Sequence, residues 1–277
     1  MTSLPSLQRG DGGSLLFRFA LALLLGAVAS AETVTPLVRA HAHNDYRHAR
    51  PLLDALDNGF CSVEADIWLV DGKLLVAHDR DEVQPGRTLE QLYLGPLKQR
   101  VALNGGKVYP NGPGFTLLID IKSDGATTWG VLKEILAQHA GMLTRFSDAG
   151  LEEGAVTVIL SGDVPRDLVW ADATRLAGVD GRLKDLGVET RPGRTPLISD
   201  NWLTNFTWRG AGPLPEAEAT RLKQIVDTAH AHGQQVRFWA LPLGAGTWNA
   251  IYDAGVDLIN ADNLDGLQKF LIGKMSR

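Results

Sequence analysis

Two short runs concentrate the residues able to do chemistry. "AHAHND" puts His41, His43 and Asn44 within four positions, and "VEAD" puts Glu64 and Asp66 two residues apart. His78 and Asp79 follow in "VAHD", and Asp120 and Lys122 in "LLIDIK", again two apart. Carboxylates crowded into one partly dry site repel one another unless a cation lies among them. The donors on offer are oxygens, from Glu64, Asp66, Asp120 and the Asn44 side-chain carbonyl. Such hard donors suit calcium or magnesium better than zinc. Histidines left free of the metal supply general acid and base, since imidazole titrates near neutrality.

These residues must be carried by elements that bring them together. Strand-forming and helix-forming stretches alternate. "PLVRAHAHN", "CSVEADIWL", "KLLVAHD", "FTLLIDIKS", "AVTVILSGD", "TPLISDNW", "QQVRFWALP" and "VDLINAD" read as strands. "ARPLLDALDNG", "TTWGVLKEILAQHAGML", "EAEATRLKQIVDTAHAHG", "TWNAIYDAG" and "LDGLQKFLIG" carry helical spacing. Asp71-Gly72 marks a tight turn into the third strand. The stretch from Gln84 to Gly114 interrupts the alternation and is expected as a helix-bearing excursion ending in a Gly/Pro-rich loop. Alternating strands and helices imply a parallel sheet covered on both faces. The length fits one (β/α) TIM-type barrel, somewhat irregular, over residues 32–277. The rival, a doubly wound open sheet, lacks the glycine-rich phosphate fingerprint after its first strand. Barrel sites lie at the C-terminal ends of the strands. Residues two apart on a strand share a face, so Glu64 and Asp66, and likewise Asp120 and Lys122, are expected to point into one mouth.

Composition narrows the function. A net charge of −5 without a basic run argues against a nucleic-acid partner. Residues 1–31 have a secretory pattern: Arg9 and Arg18, an apolar run from Phe19 to Val28, and a small-residue site at Ala29-Ser30-Ala31. Cleavage after Ala31 and a secreted or periplasmic mature chain are expected. Cys61 is the only cysteine, which excludes an internal disulfide, and its apolar neighbours point to a small buried side chain. His48, His139, His230 and His232 sit where histidines are ordinarily structural or solvated. Trp202, Phe206 and Trp208, in a loop after a late strand, either contact a lipid or head group at the mouth or pack over the barrel top. Trp239, at a strand end, is expected to line the pocket.

Taken together, "AHNDY", "VEADIWL", "VAHD" and "LLIDIKSD" resemble the phospholipase-C-like phosphodiesterase superfamily, which includes the glycerophosphodiester phosphodiesterases and the phosphoinositide-specific phospholipases C. "HNDY" and "VEAD" are most similar to the branch named for altered inheritance of mitochondria protein 6. "RFWALP" and "AGVDLINADNLDGLQKFL" resemble the closing strands of the glycerophosphodiesterases. The resemblance implies that His43 and His78 are the catalytic histidines, and that Asn44, Glu64, Asp66 and Asp120 hold one divalent cation, Ca2+ or Mg2+. It makes Lys122 a phosphate-facing residue. His41 is the other candidate for the first histidine and, with Lys122 and Trp239, is placed among the substrate-binding residues. The chain departs from the glycerophosphodiesterases in three places. His-Asn replaces their His-Arg, their Pro-Glu-Asn-Thr element is absent, and Asp120 stands where a glutamate is usual.

The expected activity is metal-dependent cleavage of a small-molecule or lipid phosphodiester, a glycerophosphodiester or phospholipid head group, by two histidines. Any membrane contact is transient, and no protein partner is evident. Two other readings compete. In one, His41-x-His43 is a metal pair of an amidohydrolase- or PHP-like metallohydrolase, with Asp200 and Asp262 as later ligands. In the other, the barrel is a secreted binding protein without turnover.

Overall fold

The computed structural model describes residues 34–188, 191 and 193–276. The expected leader, residues 1–31, lies outside them. Among the described residues no helix is long and apolar enough to cross a membrane.

Eight parallel strands build the sheet: β1 (Leu37–Ala42), β2 (Phe60–Val70), β4 (Phe115–Ile121), β7 (Val156–Gly162), β8 (Gly178–Gly181), β9 (Leu197–Asn201), β10 (Gln235–Trp239) and β11 (Ile259–Ala261). They pair in the order β10-β9-β8-β7-β4-β2-β1-β11. A single parallel bridge from Arg237 to Leu258 joins the two ends, so the sheet is a nearly closed TIM-type barrel. Helices α1 (Leu53–Asp57), α2 (Gly95–Leu103), α3 (Gly125–Ala137), α4 (Arg166–Ala171), α5 (Trp202–Asn205), α6 (Glu216–Ala231), α7 (Ala245–Asp253) and α8 (Leu264–Met275) lie in the connections. Asp124 caps α3 through Thr127 N (2.9 Å), and Asn263 caps α8 through Gly266 N (2.9 Å), satisfying amides that an open helix start leaves unpaired.

One strand departs from the expected pattern. β3 (Lys73–Val76) is antiparallel to the outer end of β2, with Ile67 opposite Val76 and Val70 opposite Lys73. Asp71 and Gly72 have φ of 48° and 75°, the double positive φ that a two-residue hairpin turn requires. The hairpin therefore folds back toward the barrel rim, and Ala77 N reaches Asp66 O at 3.2 Å. Two further pieces escaped the sequence pattern: β8, disguised by its glycines, and a small hairpin of β5 (Arg145–Ser147) and β6 (Gly150–Glu152). The Gln84–Gly114 excursion does carry helix, at Glu90–Leu94 and α2.

The barrel interior is layered because side chains alternate along each strand. The outward-facing set, with Val63, Ala65, Ile67, Leu117 and Ile119, joins the main apolar core under the helices. Inside, Leu118, Ile159, Leu197 and Leu258 form a separate small apolar cluster. Two residues further along β4 and β7 come Asp120 and Ser161, paired across the strands. The interior thus changes from apolar to polar toward the C-terminal ends of the strands. Cys61 is buried, with Sγ 3.7 Å from Gly59 O, as expected of a small apolar side chain.

Candidate active site

A cavity of about 520 Å³ opens at the C-terminal ends of the strands. His43, Asn44, Glu64, Asp66, His78, Asp120, Lys122 and Trp239 all line it. β2 and β4 are in register, Asp66 opposite Asp120, so their carboxylates converge. Glu64, Asp66 and Asp120 each bring an oxygen to within 4.8 Å of the others.

The charges explain one another. Glu64 is buried and accepts from Arg237 Nη2 at 2.8 Å, while Arg237 Nε donates to Asn260 at 2.8 Å. Burial works against the Glu64 charge, but Arg237 and the neighbouring histidines outweigh it and hold the carboxyl well below its usual range. Asp66 behaves oppositely. Burial, with Glu64 and Asp120 adding repulsion, pushes it up to about 6 despite Lys122. Burial likewise raises Asp120. Lys122 Nζ lies 3.1 Å from Asp66 Oδ2 and 3.2 Å from Asp120 Oδ1. Burial opposes its charge, yet the two carboxylates leave its pKa raised.

Gly162 makes the tight fit at Asp120 possible. Its φ is +77°, and a Cβ there would overlap Asp120 Oδ1 and Ile121 O. Only glycine accommodates both the backbone and the approach.

Each histidine is steered by a carboxylate. His43 Nδ1 lies 2.8 Å from Asp262 Oδ1, and that hydrogen bond, ahead of burial, leaves Asp262 with a lowered pKa. Asn44 Nδ2 also approaches Asp262 at 3.2 Å and His43 Nδ1 at 2.8 Å. The bond to a charged carboxylate is the stronger, so it places a proton on Nδ1, and His43 Nε2 lies 4.0 Å from Glu64. His78 Nδ1 lies 3.0 Å from Asp66 Oδ2, which leaves its Nε2 free. Tyr46 ties the two halves together: its hydroxyl lies 2.6 Å from Asn44 Oδ1, 2.8 Å from Asp66 Oδ2 and 3.0 Å from His78 Nδ1. Burial, then Asp66, raises the Tyr46 pKa far above its ordinary value, so the phenol remains a donor.

The donor set fits a hard divalent cation. Asp66 Oδ2 is fully engaged, but Asp66 Oδ1 is buried with no partner among the described residues. Asp66 belongs to a cluster in which the other donors are also oxygens, and Asn44 borders the same cavity.

His41 is where the structure departs from the expected site. It is fully buried and does not line the cavity. Its Nδ1 lies 2.7 Å from Ser62 Oγ, and its Nε2 is 3.6 Å from Glu64 Oε2, too long for a hydrogen bond. The expectation that it contacts substrate is corrected to a supporting position behind Glu64. That position also leaves it no partnership with His43 around a metal, and among the described residues the only clustered ligand set is the acidic one. Asp200 accepts from the Leu183 and Asn201 amides and is outside the cavity wall. Trp202, Phe206 and Trp208 pack over the barrel, with the first two rings stacked at 4.1 Å and both against Phe238. Sequence reasoning missed Tyr46, Ser161, Arg182 and Arg237, and held Asp262 only as a possible metal ligand.

Comparisons with known proteins fit this geometry. Residues 29–177 match the AIM6-like phosphodiesterase domain. Altered inheritance of mitochondria protein 6 of Eremothecium gossypii is 31% identical over 281 residues, covering 88% of this chain and 72% of that protein. The protein of the same name from Saccharomyces cerevisiae is 32% identical over 289 residues, covering 86% and 72%. Among solved structures, a glycerophosphodiester phosphodiesterase from Parabacteroides distasonis superimposes with a TM-score of 0.54 at 14% identity, over 87% of this chain and 99% of that one; at that identity the likeness is one of fold. A chain with this match across more than half its length, and with relatives 31–32% identical over 86–88% of it, belongs to the family of AIM6-like phosphodiesterase domains.

Proposed function

We propose that the chain is a metal-dependent phosphodiesterase in which His43 and His78 act as general base and general acid. The observation that carries this reading is the pairing of two histidines, each with Nδ1 held by a carboxylate, around an acidic cluster with one orphaned oxygen.

Glu64, Asp66 and Asp120, with the Asn44 carbonyl, would hold Ca2+ or Mg2+. When bound, the ion neutralises charge on a non-bridging phosphate oxygen and acidifies the attacking hydroxyl. Lys122 offers its ammonium to a second phosphate oxygen as a point charge. His43 Nε2 removes the proton from a hydroxyl of the substrate, Asp262 stabilises the imidazolium that results, and the oxygen forms a new bond to phosphorus. The bond to the leaving oxygen breaks as His78 supplies its proton. The products are an alcohol and a cyclic phosphodiester, which water opens with the two histidines exchanging roles. Tyr46 and Asp66 hold the His78 ring in place throughout.

The substrate class is a glycerophosphodiester or phospholipid head group, and residues 1–31 are proposed to export the chain. The test is a panel of glycerophosphodiesters, lysophospholipids and phosphatidylinositol, assayed with calcium, with magnesium and with a chelator. Turnover that needs the metal and disappears in His43→Ala and His78→Ala supports the proposal. Turnover retained in both variants overturns it, and a wild-type protein that binds the metal yet cleaves nothing on the panel favours the binding-barrel reading.

A further inference from the structure

The cavity has a second half that the proposed chemistry does not use. In strand order β8 stands opposite β1, and the residue just past its end, Arg182, reaches the cavity wall beside Ser161 and Trp239. Its guanidinium is held from behind. Asp180 is fully buried, and its Oδ2 accepts from Arg182 Nη1 at 2.8 Å, from Ser161 Oγ at 3.0 Å and from Ser199 Oγ. Arg182 Nη1 also reaches Gly181 O at 3.0 Å, and Nη2 reaches Ser161 Oγ at 3.3 Å. The guanidinium carbon lies 5.0 Å from the centre of the Trp239 ring. A guanidinium has five N–H groups in a fixed fork. Those not turned toward Asp180, Gly181 and Ser161, Nε–H among them, have no partner among the described residues.

The other cations facing this cavity stand with the acidic cluster, Lys122 against Asp66 and Asp120, and Arg237 against Glu64 with Asn260 beside it. Arg182 combines a rigid anchor with unused donors on the β8 side of the mouth. A phosphodiester placed between His43 and His78 projects one of its two substituents across the mouth toward β8 and β10. Resting on that placement, we infer that Arg182 is a specificity-determining residue that donates hydrogen bonds to oxygen acceptors on this substituent, with Asp180 as its positioning residue. The favoured substituent is a polyol or an anionic group. A substituent ending in an ammonium is disfavoured twice: it meets a fixed positive charge, and the Trp239 ring face that would attract it by cation–π contact is already covered by the guanidinium.

The test compares three soluble probes that share the glycerophosphate part: glycerophosphoinositol and glycerophosphoglycerol as neutral polyols, and glycerophosphocholine as the ammonium. The corresponding glycerate ester, with a carboxylate and no ammonium, separates anionic from polyol preference. Binding is measured by calorimetry in the presence of magnesium, independently of turnover. The wild type is expected to bind the acceptor-bearing probes more tightly than the choline ester. Arg182→Gln is expected to weaken those probes roughly 10- to 100-fold, the range for losing a charge-assisted hydrogen bond, while leaving the choline ester unchanged or tighter. Arg182→Lys restores part of the loss, and Asp180→Asn lowers the preference in the same direction. Where turnover is seen, the change falls in KM and leaves kcat nearly untouched. Equal weakening of every probe, no change with Arg182→Gln, or no binding of any acceptor-bearing probe by the wild type each overturns the inference. Selective binding without cleavage leaves it standing and refutes the proposed catalysis instead.

Discussion

Tyr46→Phe isolates one atom at the centre of the site. The ring is buried and stays in the variant, so no cavity opens and the apolar packing is kept. What is lost is a hydroxyl that lies 2.6 Å from Asn44 Oδ1, 2.8 Å from Asp66 Oδ2 and 3.0 Å from His78 Nδ1. A hydrogen bond to a charged group contributes about 1.5–3 kcal/mol. Asp66 Oδ2 retains Lys122 and His78, which offsets part of that, so the expected loss of stability is about 1–2 kcal/mol. The functional loss should be larger in proportion. Removing a group that orients metal ligands ordinarily lowers metal affinity or activity about 10–100-fold, and Tyr46 holds Asn44, Asp66 and His78 at once. Denaturant unfolding gives the first quantity, and a metal titration with kcat measured at saturating metal gives the second. A variant with unchanged kcat and unchanged metal affinity would refute the idea that this hydroxyl organises the site, whatever its stability.

Other expectations follow from the same geometry. His43→Ala and His78→Ala should each lower kcat about 10²–10⁴-fold while circular dichroism and the melting temperature stay close to wild type, because both rings face the cavity. Gly162→Ala should reduce metal affinity and activity, since its methyl would meet Asp120 Oδ1; a crystal structure with Asp120 in place and normal metal binding would contradict this. In metal-free protein, His41 has a pKa lowered to about 3 by burial and then by Arg237, against its ordinary 6.5. The unfolded chain therefore binds the extra proton in that window, so the His41 contribution is complete above about pH 6.5 and is lost as pH falls toward 3, at about 1.4 kcal/mol per pH unit. Comparing unfolding of wild type and His41→Gln across this range should show a shallower acid slope in the variant; parallel slopes would rule it out. Export predicts a mature N-terminus at Glu32, which intact-mass measurement of secreted protein would detect.

The strand-borne part of the site was legible because a strand converts spacing into direction. Glu64 and Asp66 on β2, and Asp120 with Lys122 at the end of β4, share faces by their two-residue spacing, and β2–β4 register sets Asp66 beside Asp120. His78 was legible by its neighbours, although it arrives on an antiparallel hairpin that the alternation rule did not supply. His41 shows the limit of the same rule. It shares the face of His43, but two residues lower in the barrel is deep enough to be walled off by Glu64. Arg237 was hidden because an arginine between Val236 and Phe238 looks like the wet side of a strand, and only closure of the barrel turns that side inward. Arg182 and Asp180 were missed with β8, whose glycines at Gly178 and Gly181 weaken the strand signal while allowing close packing against Pro196 and Thr195. Tyr46 and Asp262 lie just past strand ends, where spacing no longer fixes direction.

Calorimetric titration of Mg2+ or Ca2+ into metal-free wild type and into Asp66→Asn tests the central claim most directly, because Asp66 Oδ1 is the buried oxygen of the acidic cluster without a partner among the described residues. One ion per chain in the wild type, with binding abolished or severely weakened in the variant, is the expected result. No binding by the wild type, or equal binding by both proteins, would contradict it.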